Sequence, residues 1–502
     1  MLAILVGAMA LGSAPFVAPL PQERPDARAQ AEQIRDECML GADVQILDVS
    51  KEASRDDVLE RVRQAEHKRL ILHGAALKDG DITDVLKHLE GGCIHDSDLS
   101  GTKATNAAFS NSTIVRSTLE GADWSGATLN GTVFKGVDAK KANLKGAQLR
   151  RGRWIGAFRK SQLFEVDLSD ADLTGFVFEC GASYEKNCRG TGRGKFDRAN
   201  FTDADLSEYS FLAYRSLEGA RFDNTRIYPY SITWLDGIRV EGPLILASSA
   251  AWRGEPGVEI SPREFRRLYK ERQAVKNDAP SFDCKKAQGF AEENICWEFG
   301  APLRKSDREV AAMLKLAKKR GLKDIEVEHK QWLSQRNACD GTPCLYESYR
   351  VRIAQLMAQL NSRLELEPGG KRVFHLDVLP VRDRTRKSRL YQKILPTLRQ
   401  ASNQVVTLTG LPSGGVQING SALSQDADVC TVDAMTQYDA ATGWYVTETR
   451  QGERIQIFRV WGGKLHLRYS GNNRSTPMIA RDFVHCPGEG LFGRLRDLDG
   501  ED

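Results

Sequence analysis

Between residues 99 and 178 a bulky apolar residue recurs at every fifth position, a spacing that fits neither the ~3.6 of a helix nor the ~2 of a strand. The series runs Leu99, Phe109, Ile114, Leu119, Trp124, Leu129, Phe134, Leu144, Leu149 and Trp154, with Ala104 and Ala139 filling two steps. Two places before each centre sits a small residue, as at Ala122, Ala127, Thr132 and Gly152. The series slips after Trp154 and resumes at Phe158, Leu163, Leu168, Leu173 and Phe178. Beyond an insertion, ECGASYEKNCRGTGRGK, it continues at Phe196, Phe201, Leu206 and Phe211 and ends at Leu217, Phe222 and Ile227.

The flanks carry ordinary periods. Before the array, RDDVLERVRQA has helical spacing, RLILHGAAL reads as a buried strand, and DITDVLKHLEGG reads as a helix with Asp81 or Thr83 at its start. Behind it, SDRE at 306–309 reads as a capping box whose helix places Val310, Met313, Leu314 and Ala317 on one face and ends at Gly321. Ile325, Trp332 and Leu333 line a second helix, and Thr342-Pro343 starts a third with Leu345, Tyr349, Ile353, Leu356 and Leu360 on its seam. Further on, RIQIFRVWGGKLHLRYSG alternates about a Gly-Gly turn, and GVQINGSAL predicts a second turn at Asn419-Gly420. A helix in RTRKSRLYQKILPTLRQ points Leu390, Ile394 and Leu398 inward, toward that sheet, and its basic residues outward.

The units ADLTG, ANLKG, ANFTD, ADLSE and GARFD resemble the pentapeptide-repeat family, A(D/N)LXX. The resemblance implies a right-handed quadrilateral β-solenoid with one pentapeptide per face. Its expected core is Leu119, Trp124, Leu129, Phe134, Leu144, Leu149, Leu168, Leu173, Phe201 and Leu206. About six coils stacked at ~4.8 Å make a rod of roughly 30 Å. Such a prism is filled by its own ladders, so its work falls to an outer face or to its length. Some pentapeptide proteins mimic DNA with an acidic surface. Here Lys and Arg slightly outnumber Asp and Glu, with Arg150, Arg151, Arg153, Arg159 and Lys160 clustered, so the sign argues against DNA mimicry. That cluster is a contact surface for an anionic polymer or, more simply, a solvated face. The pairs Asp170/Asp172 and Asp203/Asp205 fall at outward or corner positions, where they satisfy turns.

The helical segment carries FDC, A, E, IC, WL, R, C, CL, Y and RI in order, and resembles the lysozyme inhibitor LprI-like family. The matching residues are Cys284, Ala287, Glu292, Ile295, Cys296, Trp332, Arg336, Cys339, Cys344, Leu345, Tyr349 and Ile353. The resemblance implies lysozyme inhibition. Arg336 itself reads as a contact residue or, more simply, as the satisfied partner of a helix end. The segment is slightly basic, KLAKKRGLK being prominent, whereas inhibitors of basic lysozymes are often acidic.

Composition narrows the class. The chain has 502 residues and a net charge of +4, which gives room for roughly two to four domains and announces no global field toward nucleic acid. MLAILVGAMALGSAPFVA followed by PLPQERPDARAQ has the shape of a secretory signal peptide, though no Lys or Arg precedes the apolar run. No later stretch is long and apolar enough for a transmembrane helix. The ten cysteines group as Cys38 with Cys93, Cys180 with Cys188, Cys284/Cys296/Cys339/Cys344, and Cys430 with Cys486. That grouping reads as a disulfide framework in an oxidising compartment, periplasmic or secreted, with the pairing inside the group of four left open. His73, His88 and His95 lie near Cys93 but show no ligand spacing and are read as structural, so no metal or cofactor is expected.

The expected architecture is multidomain: a signal peptide (1–22), an α/β N-terminal cap (23–95), the pentapeptide-repeat β-solenoid (96–230), a linker (231–280), a small disulfide-stapled LprI-like helical domain (281–365) and a C-terminal β-rich domain (366–502). No HExxH, GxSxG or CxxC occurs. The expectation is a non-enzymatic binding or scaffold protein of a bacterial envelope, whose partner is another protein or an anionic envelope polymer. Two alternatives stand beside it: a lysozyme inhibitor, and an envelope enzyme with a site near His466 or His485 in the C-terminal domain.

Overall fold

The computed structural model describes residues 27–496 apart from 52–53, 66–68, 157–162, 164, 180–193, 208–215, 248–256, 277–278, 298–299, 361–362, 403, 424–428, 449–451, 453 and 468–494. The first 26 residues, Phe158, Arg159, Lys160, Phe211, His485, Cys486 and the pair Cys180–Cys188 lie outside the described residues, and with Cys486 the expected Cys430–Cys486 bridge.

One 11-stranded sheet runs through the cap, the array and the segment read as a linker. Helix α1 (Ala27–Glu37) leads to β1 (Gln45–Asp48), α2 (Arg55–Arg63), β2 (Leu70–His73), α3 (Thr83–His88) and β3 (Cys93–His95). The array then supplies β4 (Thr113–Val115), β5 (Val133–Lys135), β6 (Arg153–Ile155), β7 (Val177–Glu179), β8 (Asp205–Leu206) and β9 (Thr225–Ile227). Strands β10 (Leu244–Leu246) and β11 (Val258–Ile260) complete it. All neighbours pair in parallel except β10 and β11, which are antiparallel.

The five-residue period has a direct cause. Stacked residues of successive coils sit 20 apart, as for Asn143 on Asp123, so four pentapeptides close one turn. Each pentapeptide ends in a left-handed corner, at Asn106, Asn111, Gly121, Gly126, Gly131 and Lys141 among others. Glycine or asparagine tolerates that conformation best, which explains their recurrence there. The central residues point inward: all ten expected core residues are at most 1% exposed. Phe134 and Trp154 stack with centroids 4.5 Å apart, and the Trp124 indole donates to the Thr102 hydroxyl at 3.1 Å. The Asx position caps the next corner, since Asp172 accepts from the Thr174 amide and Asp205 from the Ser207 amide. The slip after Trp154 is an enlarged coil: Trp154 still stacks on Phe178, and Gln148 on Asp172.

The segment 231–280 is not a linker. Beyond a 3-10 turn (Pro229–Trp234), its strands β10 and β11 extend the sheet. Helix α4 (Pro262–Lys276) puts Phe265 and Leu268 into the core shared with the array. A second part of the end cap comes from far down the chain. The helix read at 384–400 is two helices, α9 (Asp383–Arg386) and α10 (Arg389–Ala401), which follow from Ser388 as N-cap. Leu390, Ile394 and Leu398 do point inward, but into the end of the solenoid core rather than toward the C-terminal sheet. The Tyr228 hydroxyl donates to the Ala401 carbonyl at 2.7 Å and ties the two segments together.

The helical module has its own core and contains α5 (Gly289–Cys296), α6 (Ala301–Lys319), α7 (Ile325–Asn337) and α8 (Thr342–Gln359). Helix α6 starts five residues before Ser306, at Gly300-Ala301-Pro302, so SDRE lies inside it and caps nothing. Its disulfides are Cys284–Cys296 and Cys339–Cys344. The C-terminal strands form a closed antiparallel barrel. They are β12 (Lys371–Leu376), β13 (Gln404–Gly410), β14 (Val416–Leu423), β15 (Val429–Asp439), β16 (Trp444–Glu448), β17 (Arg454–Trp461), β18 (Lys464–Leu467) and β19 (Leu495–Arg496). The Gly462-Gly463 turn joins β17 to β18 as expected, whereas Asn419-Gly420 lies mid-strand in β14, opposite Thr407 and Val406. The turn before β14 is instead made at 411–415.

Gly152 occupies the small position where a Cβ would sit 2.8 Å from both the Phe176 ring and the Thr132 carbonyl oxygen. Gly152→Ala therefore destabilises the solenoid by about 1–3 kcal/mol through overpacking, read as a lowered urea midpoint at unchanged slope. Ile394→Ala removes a buried plug from the rod end at a cost of about 2–5 kcal/mol. Hydrogen exchange rises in β9, β10 and β11 before it rises in β4 and β5; uniform loss of protection contradicts this placement of α10.

Candidate functional site

Among the described residues, three places gather chemistry-bearing side chains. The first is the basic wall of the array. Arg153 makes a two-pronged pair with Glu179, one coil further on, at 2.9 and 2.8 Å. Arg150 meets Asp172 at 2.5 Å, and Arg198 meets Asp170 at 2.6 and 2.7 Å. Arg151 stands exposed at a left-handed corner. The expected cationic contact patch is thus largely an alternating wall of stacked ion pairs. These are exposed and contribute little to stability individually. Asp170 and Asp172 serve this wall and the turns, and Asp203 accepts from Asn224 at 2.6 Å.

The second place is the helical module. Arg336 is 2% exposed, which rules out the first of its two expected roles, contact with a partner. It donates to the Tyr349 hydroxyl at 3.2 Å and to Glu292 at 3.3 Å, and lies over the Trp332 ring. Tyr349 donates in turn to Asp307 at 2.9 Å, and Asp307 also accepts from the Ser281 amide at 2.6 Å. Burial raises the Tyr349 phenol, which remains protonated and donates. A buried guanidinium needs such a complete set of partners, so this network locks α5, α6, α7 and α8 to one another. Among its exposed charged residues the module also shows large aromatic side chains: Phe290 at 39%, Trp297 at 58% and Tyr346 at 44%. Across its other side the module meets the barrel, where Glu309 of α6 accepts from Arg459 and, at 3.0 Å, from the Trp461 indole of β17.

His466 does not line a barrel pocket. Leu465 and Leu467, its neighbours on β18, belong to the barrel core, and His466 stacks on Trp461 beside Arg459. Phe374, Val406, Leu408, Ile418, Val432, Tyr445 and Phe458 fill the interior.

The third place is the cap. Strands β2 and β3 lie side by side, and their last residues, His73 and His95, are opposite each other. Helix α1 covers this outer face through Ile34, Cys38 and the Cys38–Cys93 disulfide, which makes a small second core. Under its end the Nδ1 atoms of His73 and His95 approach to 3.0 Å. The His95 side chain is fully buried, with Nε2 2.8 Å from Glu37 and Nδ1 3.3 Å from Asp96. Arg116 pairs with Asp96 at 2.8 and 2.7 Å and also touches Glu37. Burial pushes the His95 imidazole below its usual range despite Glu37, while the Arg116 hydrogen bond lowers the Asp96 carboxyl. His88 is apart from this group and bonds the Asp84 carbonyl. Sequence reading noted the histidines but not their meeting. The signal was there in the coil arithmetic, since His73 and His95 close equivalent strands of successive turns.

Comparison with known proteins places the array. The family model for pentapeptide repeats matches residues 117–152 in eight copies. This stretch is a pentapeptide-repeat array. Similar solved structures include QnrB1, a plasmid-mediated fluoroquinolone resistance protein, at 18% identity and a TM-score of 0.17, covering 34% of this chain and 93% of that one. HetL, a pentapeptide repeat protein involved in heterocyst differentiation regulation from the cyanobacterium Nostoc sp. strain PCC 7120, is 23% identical with a TM-score of 0.13, over 36% of this chain and 83% of its own. Rfr23, a pentapeptide repeat protein from the cyanobacterium Cyanothece 51142, is 14% identical with a TM-score of 0.16, over 33% and 100%. No curated protein matches the chain. The matched stretch is the middle of the rod, while the helical module and the barrel are described by their geometry alone. Among the described residues no helix is long and apolar enough to cross a membrane.

His329, on α7 against Trp332, is pushed below its usual value by burial, with Arg352 and Arg336 adding to the effect. The unfolded chain takes up this proton near pH 6.5 and the folded module only at lower pH. Stability of the module consequently falls as pH drops from about 6.5 toward the depressed folded value. Urea midpoints followed by Trp fluorescence at pH 7.5 and 5.5 show the loss, and His329→Gln reduces it.

Proposed function

We propose that this protein is an exported binding protein, non-enzymatic, in which a pentapeptide-repeat rod holds a disulfide-stapled helical module and a barrel in fixed relation. The observation that carries this reading is that both interiors are filled by apolar side chains and both rod ends are covered by the chain's own helices. Outer surfaces are what remains for recognition. Of these, the solenoid wall is neutralised by its stacked ion pairs, whereas the helical module presents Phe290, Trp297 and Tyr346. Aromatic side chains of this kind anchor protein partners well. The Cys38–Cys93, Cys284–Cys296 and Cys339–Cys344 bridges support an oxidising compartment, periplasmic or secreted.

Lysozyme inhibition is the narrower form of the same reading. The residues behind the LprI-like resemblance, Cys284, Glu292, Cys296, Arg336, Cys339, Cys344 and Tyr349, act together here as scaffold, in disulfides and in the Arg336 network. A target would therefore be met by exposed positions such as Trp297 instead.

The test uses the full chain. Fractionation with nonreducing mass mapping should find the mature protein outside the cytoplasm with these three bridges formed; reduced thiols in a cytoplasmic protein would overturn export. Chemical cross-linking in the envelope should yield a discrete partner that Phe290→Ser/Trp297→Ser loses and Arg151→Ser keeps. The opposite pattern would move recognition to the wall. Added at stoichiometric excess to a panel of lysozymes, the chain either blocks muramidase activity or removes the inhibitor reading.

A further inference from the structure

We propose that His73, His95 and Asp96 form a binding site for one divalent transition-metal ion, with zinc as the reference metal, at the junction of the cap and the rod. Their donor atoms, the two Nδ1 atoms and a carboxylate oxygen, all lie within 4.8 Å of one another. Zinc bonds of about 2.0–2.1 Å set tetrahedrally require donors about 3.3 Å apart. The His73–His95 separation of 3.0 Å and the His95–Asp96 separation of 3.3 Å already match two edges of that tetrahedron. Little movement is needed to admit an ion.

One tautomer of His95 serves the site: with Nε2–H donated to Glu37, 2.8 Å away, the Nδ1 lone pair turns toward His73, while Arg116, 3.1 Å from the same Nε2, favours the other. A carboxylate behind a ligating histidine orients the ring and raises its basicity. Without metal, and in that tautomer, His73 donates its Nδ1–H to His95. On binding, that proton moves to His73 Nε2, and both Nδ1 lone pairs turn to the ion with no net proton released. The direct contacts hold two carboxylates, Glu37 and Asp96, against one guanidinium, Arg116, so the pocket favours added positive charge. Arg116 competes with the metal for Asp96 and tempers affinity, but a carboxylate oxygen accepts from both sides.

Two imidazoles and one carboxylate suit zinc, copper(II) or nickel(II) rather than magnesium or calcium, which prefer oxygen donors. Three protein ligands leave a fourth position open. Asp96 is the exposed member, 38% accessible, and marks the entry side. Both histidines are held by the sheet itself, one at the end of each of two adjacent strands, and the Cys38–Cys93 bridge pins α1 above them. The site is therefore preorganised by backbone pairing rather than by a loop.

The test takes the full, untagged, chelator-treated chain and titrates Zn²⁺ by calorimetry near pH 7.5. One equivalent binds. His73→Asn and Asp96→Asn each weaken it at least about tenfold, and Glu37→Gln weakens it about ten- to hundredfold. Asp96→Asn keeps a residue that tolerates the left-handed backbone at this position, φ 48°, so the variant folds. His88→Asn, which changes a histidine outside the cluster, leaves binding unaltered. Co²⁺ as a spectroscopic probe gives visible bands of a four-coordinate site in the parent chain and loses them in His73→Asn. No saturable Zn²⁺ uptake, or equal uptake in folded His73→Asn and Asp96→Asn, overturns the proposal.

Discussion

A parallel coil stacked on itself leaves two unfinished cross-sections, each with a ladder of unpaired backbone groups around an apolar core. Everything else in this molecule is arranged around closing those ends. At the first end the rung pattern is kept but the content changes: β1, β2 and β3 continue the sheet while α2 and α3 stand where pentapeptide faces would be. Val58, Val62, Val85 and Leu86 fill the cross-section in place of a ladder. At the other end the sheet is stopped by reversal. Strand β11 runs antiparallel to β10, so its free edge no longer presents the parallel template to another coil. Helices α4 and α10 then cover the apolar section, and the Tyr228–Ala401 bond fixes the second of them.

This closure also sets the relation between the parts. Because α10 belongs to the segment between β12 and β13 of the barrel, plugging the rod with it anchors the barrel at the rod end. The helical module is held from the opposite side by Glu309 with Arg459 and Trp461. Burial lowers the Arg459 guanidinium, and Glu309 opposes that effect; a buried charge of this kind persists only while its partner stays in place. The rod end, the barrel and the module are thereby coupled, through the α10 plug at one end and the Glu309 contact at the other.

The sequence announced what depends on neighbours in the chain and concealed what depends on neighbours in space. The period of five was legible because corner conformation, small residue and inward centre all recur within five residues, down to Gly152 beneath Phe176. The Gly-Gly hairpin was legible for the same reason. The rungs at 244–246 and 258–260 were not, since they carry no A(D/N)LXX signature, and polar surroundings made them look like a tether. The face of α10 was readable from Leu390, Ile394 and Leu398, but its partner lay 173 residues away across the Tyr228 bond. Asn419-Gly420 and SDRE show the converse failure, where a strong local signal is overridden by pairing on both flanks or by a helix that began earlier. Arg336 read as a contact or as the partner of a helix end; only the convergence of Glu292, Asp307 and Tyr349, distant in the chain, makes it a core residue.

The cap cluster follows from the same closing constraint. In the repeat proper, outward positions at equivalent places on successive strands carry Val115, Lys135, Ile155 and Glu179, so charge alternates with apolar groups, and Lys135 reaches back to the Glu37 carbonyl at 3.4 Å. In the cap that pattern gives way to two histidines in direct register, since α1 must dock on this face and excludes water from it. Burying His95 there, with the His73 ring tilted against it, requires hydrogen-bond partners. Glu37 comes from the docking helix itself, Asp96 from the corner after β3 and Arg116 from the next coil. The polar group therefore registers whether helix, cap and first coil are all in place at once. A cluster assembled only by that coincidence is where an ion would be bound by the finished rod and not by the unfolded chain, so metal would stabilise the first end just as α10 stabilises the last.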